Sequence, residues 1–340
     1  MTEERNGHPM PEGRRDATPA EIARTLLEAD GGLIVAAHRN PDGDALGSML
    51  GLARALRAAG RDVVLAHPDA DPVPDELAFL LAPGETIARE LPADAAQRVF
   101  VAVDCATAMR LWPDRAPHEG VRMAVNIDHH HDNTRFGHLN LVEPGASSSA
   151  EVVVHVLEAA GLPVTRDVAE PLYVGLITDT GRFCYSNTGT EAHRVAGLFI
   201  EAGVRPDELG RLLYEEQPPE RLLLLGRAMQ RARLMCDGRL MAAALGPDDY
   251  AAAGGDDTEG IVEAMRSVRG VSIAGLTREQ HPGAWRVSLR TDDPTFDVSV
   301  IARQEGGGGH RAAAGFSTAR PPDDLFPWLE AQVRAQLDGA

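Results

Sequence analysis

Along the first two-thirds of the chain, short apolar runs alternate with stretches of helical periodicity. The strand-like runs are Leu33–Ala37, Asp62–Ala66, Val99–Val103, Met123–Ile127 and Leu139–Val142. Between the first two lies Ala45–Ala59, whose apolar residues recur at helical spacing before Gly60, a typical helix stop. This strand–helix–strand order predicts an α/β fold: a parallel sheet with helices on both faces.

The 340 residues are enough for two domains. After Pro218-Pro219 the chain continues as helix to about residue 233, and later apolar runs predict a second, mixed sheet. We expect four segments: a disordered tail over 1–17, a parallel-sheet catalytic domain over 18–205, a helical connector over 206–234, and a smaller α/β domain over 235–340.

Composition narrows the functional classes. Acidic residues outnumber basic ones 51 to 33, a formal net charge of −18, which argues against binding long nucleic acid because that requires neutralising many phosphates. Three widely spaced cysteines, without a CxxC pair, indicate neither a disulfide framework nor a thiolate zinc site. With no signal peptide and no membrane-spanning run, the sequence predicts a cytoplasmic protein with no membrane partner.

The segment from His38 to Asp44, HRNPDGD, lies where the first strand-like run ends and the first helix-like stretch begins. In open α/β sheets this edge is where ligands bind. One imidazole and two carboxylates (His38, Asp42 and Asp44) form a mixed N/O donor set that suits Mn²⁺ or Mg²⁺. Taken alone, the same residues also fit an Asp-rich turn that caps a helix.

Three further segments end in similar side chains. Asp104 follows Val99–Val103, Asp128-His129-His130-His131 follows Met123–Ile127, and Asp179 follows the apolar run Leu172–Ile177, which we interpret as another strand. Four converging clusters favour a metal site over a solvated loop. Four aspartates gathered there would repel one another, and two divalent cations would neutralise them.

A glycine run marks the second domain. Gly306–Gly309 is followed by His310 and Arg311, and Arg303 lies close before it. Backbone N–H groups of such a run, with the N-terminus of a helix that we expect to follow it, would bind an anion. A flexible linker is the alternative, although linkers of this kind are usually longer and rich in serine.

These motifs resemble the DHH phosphoesterase family. The resemblance runs from about residue 20 to 320 and takes in HRNPDGD at 38–44, Val103-Asp104, DHHHDN at 128–133, TDTG at 178–181 and the terminal GGGGH at 306–310. Motifs in this order and number are specific for the family. The short chain is similar to the branch of nanoRNases and 3′-phosphoadenosine-5′-phosphate (pAp) phosphatases, rather than to RecJ-type exonucleases with extra domains.

The resemblance implies two Mn²⁺ ions, with Mg²⁺ as the alternative. It places His38 and Asp42 on one ion, Asp44, His129 and Asp179 on the other, and Asp104 as the bridge. Asp104, Asp128 and His130 then form the catalytic group, with Asp128 behind the ligands and His130 beside the scissile phosphate.

The resemblance also assigns substrate binding. Gly307, Gly308, Gly309 and His310 would hold a phosphate or nucleotide end, with Arg303, Arg311 and Arg182 as further donors. Glu305 stands where relatives usually carry an apolar residue, and we expect it to point to solvent. The stretch after Asp179 is expected near the cleft, with Arg182, Tyr185, Ser186 and Asn187 in it. The alternative is that these residues form a polar surface loop. Relatives commonly form homodimers, so we expect one.

The expected activity is hydrolysis by two-metal activation of a bridging water. Its substrates would be very short oligonucleotides, cleaved to mononucleotides, and pAp, cleaved to AMP. The first alternative is a phosphodiesterase for c-di-AMP or linear pApA. A non-catalytic nucleotide-binding regulator is disfavoured because every expected ligand is present. A processive single-strand exonuclease is disfavoured by the negative charge and the 4% aromatic content.

Overall fold

The computed structural model describes residues 13–69, 73–112, 119–215 and 217–338. Contacts divide the chain into two compact units, one ending at Glu215 and one after it. The division falls inside the segment predicted as a helical connector over 206–234. The other predicted domain bounds stay predictions. Among the described residues, no helix is both long and apolar enough to cross a membrane.

The first unit combines one sheet with six described α-helices. Its strands are β1 (Arg15–Asp16), β2 (Leu33–Ala36), β3 (Val63–Ala66), β4 (Ile87–Ala88), β5 (Val99–Val103), β6 (Met123–Asp128) and β7 (Leu139–Val142). Its helices are α1 (Pro19–Glu28), α2 (Gly43–Ala58), α3 (Ser149–Ala159), α4 (Arg166–Asp179), α5 (Thr190–Glu201) and α6 (Pro206–Tyr214). Short 3-10 segments lie at Asp75–Leu80, Ala95–Gln97 and Ala108–Arg110.

The sheet has the order β1-β7-β6-β5-β2-β3-β4, and every neighbouring pair is parallel. The predicted parallel sheet is therefore confirmed. From the central pair β2 and β5, the chain proceeds to β3 and β4 on one side and to β6 and β7 on the other. Connections that leave two adjacent strands in opposite directions open a crevice at their carboxyl ends, where α/β sheets bind ligands.

Side-chain caps start the helices beside this crevice. The carboxylate of Asp42 accepts a hydrogen bond from the N–H of Ala45 at the start of α2. The hydroxyl of Ser148 accepts one from the N–H of Glu151 in α3. Such caps satisfy N–H groups that have no partner within the helix. They fix both helix starts at the carboxyl edge of the sheet.

The two faces of the sheet are covered differently. One face packs against the helices in a large apolar cluster that includes Leu46 of α2 and Val153 of α3. The other carries a smaller cluster with Phe100, Trp112 and Phe136, to which residues of the short 3-10 segments also pack. Burial on both faces explains why the strands read as continuous apolar runs.

The interpretation of the apolar run Leu172–Ile177 as a strand is wrong, because this run forms part of α4. Its residues are all buried, because the helix packs among α2, α3 and α5. A short run that is apolar on every side has no helical period to read, so it cannot be told from a buried strand. Asp179 is the last residue of this helix rather than the residue after a strand.

The predicted disordered tail over 1–17 also needs correction. Residues 1–12 lie outside the described residues. Arg15 and Asp16 form β1, in parallel register with Leu139 and Asn140 of β7. The Arg15 carbonyl accepts a hydrogen bond from the Asn140 side chain. Backbone pairing with β7 holds β1 in place, and the two polar residues of β1 form no apolar run by which the sequence could have predicted a strand.

Glycine lets α2 and α4 approach closely. A Cβ atom on Gly47 of α2 would overlap the carbonyl oxygen of Pro171 in α4. A Cβ on Gly175 of α4 would lie 2.7 Å from Oδ1 of Asp44, and Gly43 and Gly51 are similarly closed by α4 side chains. Helices normally pack 8–10 Å apart, depending on the side chains between them. Because these glycines have no side chains, α2 and α4 can pack closely against each other.

The second unit contains a mixed sheet, as predicted. Its strands are β8 (Arg233–Met235), β9 (Leu240–Leu245), β10 (Ile273–His281), β11 (Ala284–Thr291), β12 (Gly308–Gly309) and β13 (Ala313–Thr318). Its helices are α7 (Pro219–Arg231), α8 (Pro247–Ala253), α9 (Ile261–Arg266), α10 (Val298–Gln304) and α11 (Pro322–Asp338). The order is β12-β13-β11-β10-β9-β8, with β9 and β10 parallel and the other pairs antiparallel.

Replacing Gly47 with alanine tests the close approach of α2 and α4. We expect Gly47→Ala to lower the free energy of unfolding by about 1–3 kcal/mol, the usual cost of overpacking. Gly197→Ala in α5 is the matched control, since its Cβ would meet nothing within 4 Å. It should raise stability by about 0.5–1 kcal/mol, because alanine favours helix. Urea denaturation measures both, and equal effects would contradict the packing argument.

His155 of α3 lies between two carboxylates. Its Nδ1 is 2.8 Å from Glu143 and its Nε2 is 3.2 Å from Glu191. The hydrogen bond with Glu143 is the largest influence, and against the opposing effect of burial it raises the pKa of His155 to about 9. The charged imidazole is therefore more stable in the folded chain than in the unfolded one.

This raised pKa predicts a pH-dependent part of stability. The stabilisation is complete below pH about 6.5, the pKa of a free histidine, and disappears as the pH rises through 9. After allowance for solvent screening, we expect about 1 kcal/mol. Unfolding curves from pH 6 to 9.5 should show the wild-type protein losing this advantage over His155→Gln. A pH-independent difference would contradict the charge-based account.

Candidate metal centre

The carboxyl ends of β2, β5 and β6 deliver most of the predicted ligands to one place. His38 follows β2, while Asp42 and Asp44 lie at the start of α2. Asp104 comes directly after β5, and His129 directly after β6. Asp104 has a φ of 51°, a conformation that is uncommon for a residue other than glycine, although aspartate adopts it more readily than most.

Two overlapping groups of side chains surround Asp104. On one side, Nε2 of His38 lies 3.4 Å from Oδ2 of Asp104 and 3.8 Å from Oδ2 of Asp42. On the other side, Nε2 of His129 lies 3.7 Å from Oδ1 of Asp104. Asp104 thus turns a different oxygen toward each histidine.

Asp44 and Asp179 complete the second side. Nε2 of His129 lies 3.9 Å from Oδ2 of Asp44 and 3.5 Å from Oδ2 of Asp179. In each of three groups of side chains, donor atoms lie within 4.8 Å of one another. The groups are His38, Asp42 and Asp104; Asp44, His129 and Asp179; and Asp104, His129 and His130. The structure therefore brings all six predicted ligands together.

The electrostatics of the cluster test its fit for a cation. Burial, and then the charges of the neighbouring aspartates, raise the pKa of Asp44 well above its usual range. Burial, together with the charges of Asp104 and Asp42 and against that of His129, raises the pKa of Asp179 to about 6. Despite the opposing effect of burial, Asp104 and Asp42 raise the pKa of His38 to about 10. This field favours positive charge, and the N/O donor set can hold a divalent metal ion.

The start of α3 supports the carboxylates. The N–H groups of Ser149 and Ala150 donate to Asp44 at 2.6 and 2.9 Å. The hydroxyl of Ser149 donates to Oδ1 of Asp104 at 2.9 Å. The run from Ser147 to Ser149 is typical of a helix cap, and no sequence motif marked it as part of the site. The N–H groups at the start of a helix can also support negative charge, which is the second role of this segment.

His130 is oriented by a buried pair. Its Nδ1 donates to Oδ1 of Asp128 at 2.8 Å, and the amide of Asn133 donates to the other Asp128 oxygen. The hydrogen bond with Asp128 raises the pKa of His130 to about 9. Burial opposes it, but the hydrogen bond and charge of His130 lower the pKa of Asp128. Asp128 thus contacts His130 and stands outside the three donor groups, whereas His130 belongs to one of them.

Arg110 is a residue that the sequence motifs did not mark. It ends the 3-10 segment after Asp104, and its carbonyl accepts the N–H of Arg39. Burial raises the pKa of Asp42, but His38 and the N–H of Ala45 lower it to about 2, and the positive charge of Arg110 adds a smaller effect in the same direction. An exposed guanidinium near a cluster of potential metal ligands can bind a phosphate. In the sequence, the only indication that Arg110 lies near the site is that it follows Asp104 closely along the chain.

The glycine run in the second unit differs from the sequence prediction. A strand, β13, follows it rather than a helix, and Gly308–Gly309 pairs with that strand as β12. The predicted helix dipole is therefore wrong. Cβ atoms on Gly307 and Gly309 would overlap the neighbouring strand, so these glycines are required by the close pairing itself.

The charged residues around the run have different environments. Arg303 and His310 are exposed, while Arg311 donates to the Pro294 carbonyl. Glu305 does not point to solvent as expected, because Thr318 and Arg320 donate to its two oxygens at 3.0 and 3.1 Å. Because Arg320 pairs with the negative charge of Glu305, this carboxylate does not count against anion binding by the glycine run. Arg182, the remaining predicted donor, is exposed in the first unit, three residues after Asp179.

The chain is similar in sequence to known protein families and to characterised enzymes. The DHH family, N-terminal domain, matches residues 33–176, and the DHHA1 domain matches residues 237–331. The bifunctional oligoribonuclease and PAP phosphatase NrnA of Thermus thermophilus is 36% identical over 86% of each chain. NrnA of Bacillus subtilis is 28% identical over 94% of this chain and 97% of its own.

Two further similarities are more distant. An exopolyphosphatase-related protein from Bacteroides fragilis has the same fold, with a TM-score of 0.84, 22% identity and coverage of 93% and 96% of the two chains. The cyclic-di-AMP phosphodiesterase GdpP of Geobacillus thermodenitrificans is 24% identical over 92% of this chain and 48% of its own. Together these matches define a phosphoesterase. The chain belongs to the DHH family and carries a DHHA1 domain.

Ser149→Ala tests whether the start of α3 positions the donor groups. Loss of the hydroxyl that contacts Asp104 should weaken Mn²⁺ binding by about 10–100-fold, as is usual when a ligand loses its supporting hydrogen bond. Calorimetric titration with Mn²⁺ measures this, and circular dichroism checks the fold. Ser267→Ala in the second unit, where the hydroxyl contacts only the Ala264 carbonyl, is the control. Unchanged Mn²⁺ affinity in Ser149→Ala would contradict this role.

Proposed function

We propose that this protein is a Mn²⁺-dependent phosphoesterase that cleaves very short oligonucleotides to mononucleotides and pAp to AMP. The observation that carries the proposal is the set of three overlapping donor groups around Asp104 and His129. The identity with NrnA proteins over most of the chain supports the substrate class.

His38 and Asp42 would hold one ion, and Asp44, His129 and Asp179 the other. The two oxygens of Asp104 face different histidines, which supports its role as the bridge. When bound, two divalent cations lower the pKa of water and neutralise charge on a phosphoryl group. Mg²⁺ would suit the carboxylates, but the two imidazoles favour Mn²⁺ over Mg²⁺.

His130 is the proposed proton-handling residue. Its Nδ1–H is fixed on Asp128, which leaves Nε2 as the atom that can face a phosphate oxygen or a leaving group. The raised pKa keeps the ring protonated near neutral pH in the absence of a metal. A protonated imidazole can donate to an oxygen on which negative charge develops. Arg110 would add a second positive charge on the same side.

Phosphate binding in the second unit remains a separate proposal. Arg303 and His310 are the exposed donors of this group, and Arg311 would have to leave the Pro294 carbonyl to contribute. Gly307, Gly308 and Gly309 would offer backbone N–H groups only where the β12–β13 pairing leaves them accessible. The homodimer implied by the family also remains a proposal, which sedimentation velocity tests directly.

The second candidate activity is hydrolysis of a cyclic dinucleotide or of linear pApA. The similarity to GdpP favours it, although this chain covers only 48% of that protein. The same donor groups would serve either substrate, because both contain a phosphodiester.

A substrate panel with Mn²⁺ decides between these activities. We expect turnover of diribonucleotides and pAp by the purified chain, and loss of at least about 10³-fold in Asp104→Asn, since a central carboxylate is removed. Asp30→Asn is the control, because its side chain is 94% exposed and lies in the turn before β2. Product chromatography with c-di-AMP and pApA in parallel ranks the alternative. Turnover of none of these substrates would refute the enzyme assignment.

A further inference from the structure

A cavity of about 430 Å³ lies beside the end of α4. Thr178, Gly181, Arg182, Cys184, Tyr185 and Tyr214 line it. Thr178 and Gly181 lie one and two residues from the proposed ligand Asp179 in the chain, so the cavity lies at the end of the helix that carries this ligand. Its volume falls within the range of small-molecule sites, which is roughly 300–1,000 Å³.

The turn that forms this cavity is strained. Gly181, Arg182 and Phe183 have φ values of 54°, 62° and 62°, three consecutive residues in the left-handed region. For Arg182 and Phe183 this conformation costs energy, and such outliers persist only where surrounding contacts impose them. The contacts around this turn must therefore hold it in its strained conformation.

Hydrogen bonds hold the turn in place. The N–H groups of Cys184 and Tyr185 donate to the Thr180 carbonyl at 3.0 and 2.9 Å. The amide of Asn187 donates to the carbonyls of Asp179 at 3.1 Å and Ser147 at 2.8 Å. The cavity wall is thus tied directly to the residue that follows the proposed ligand helix and to the start of α3.

Two aromatic rings and one cation face this space. Tyr185 is 56% exposed, and its ring lies so close to Gly181 that a Cβ there would overlap it. The guanidinium of Arg182 lies 3.9 Å from the centre of the Tyr214 ring. Aromatic faces beside a guanidinium are the surfaces on which single-stranded nucleotides stack their bases.

We propose that this cavity, the Tyr185 pocket, binds the nucleobase of the nucleotide next to the scissile phosphate. Tyr185 supplies the stacking face and Arg182 the polar edge. The pocket rests on the proposed function, because the phosphate must lie at the metal centre for the base to reach it. Stacking is tolerant of base identity, so the pocket selects for a nucleoside rather than for one base.

The chemistry favours a planar base over a phosphate as the occupant of this pocket. The guanidinium of Arg182 already covers the Tyr214 ring, and the hydroxyl of Thr178 donates to carbonyls of its own helix. An anion would gain one shared cation there, whereas a planar base would cover the exposed ring of Tyr185.

Tyr185→Leu with base-bearing and abasic substrates tests the pocket. Stacking contributes about 1–3 kcal/mol per base, so the variant should raise KM for a diribonucleotide by about 5–150-fold. The KM for the same dinucleotide without its bases should change less than about twofold, and kcat should change little. Tyr185→Phe should keep the wild-type KM, because it preserves the ring. Ile200→Ala, which truncates a side chain 50% exposed on α5, is the control.

A binding measurement separates failure of the pocket from failure of the proposed function. A dinucleotide containing 2-aminopurine, added with Mn²⁺ to Asp104→Asn, should lose fluorescence when its base stacks. Adding Tyr185→Leu to Asp104→Asn should abolish that loss. Equal effects of Tyr185→Leu on base-bearing and abasic substrates, or quenching that survives it, would overturn the pocket. Absence of turnover in the wild-type protein with intact quenching would overturn the hydrolase assignment and leave the pocket standing.

Discussion

The close approach of α2 and α4 brings together two carboxylates of one donor group of the candidate metal centre. Asp44 lies in the first turn of α2, and Asp179 is the last residue of α4. Gly47 meets the backbone of α4 where a side chain would overlap it, and Gly175 leaves room for the Asp44 carboxylate. A larger residue at either glycine would shift carboxylates whose useful positions lie within a fraction of an ångström.

Electrostatic repulsion makes this arrangement favour a bound proton or cation. The same packing that fixes Asp44 also removes it from water, and its pKa rises because neighbouring carboxylates share the space. Hydrogen bonds from the N-terminus of α3 recover part of that cost. The proton favoured on His38 shows where positive charge is most stable. Metal binding would replace that proton, which couples affinity to pH and to the integrity of α3.

The motifs after β2, β5 and β6 could be predicted because each follows an apolar run of ordinary strand length at a known functional edge. The helix α4 could not, since burial on every side removes the period that identifies a helix. The end of the glycine run had a similar ambiguity: Ala-Ala-Ala-Gly-Phe fits a helix or a strand, and pairing with β11 decided it. Long-range pairing is the information that a local pattern lacks.

Left-handed backbone at residues other than glycine occurs at both places where chemistry is proposed, and also at Arg135, Cys236 and Asp237. Asp104 and the Arg182–Phe183 turn are both left-handed at residues other than glycine, and each is held by backbone hydrogen bonds to a neighbouring element. Asn40 in the His38 loop shares this conformation, which asparagine tolerates better. Stability alone would favour glycine at Asp104, yet a glycine would remove the carboxylate shared by two donor groups. The cost is therefore best explained by what the side chain must contact.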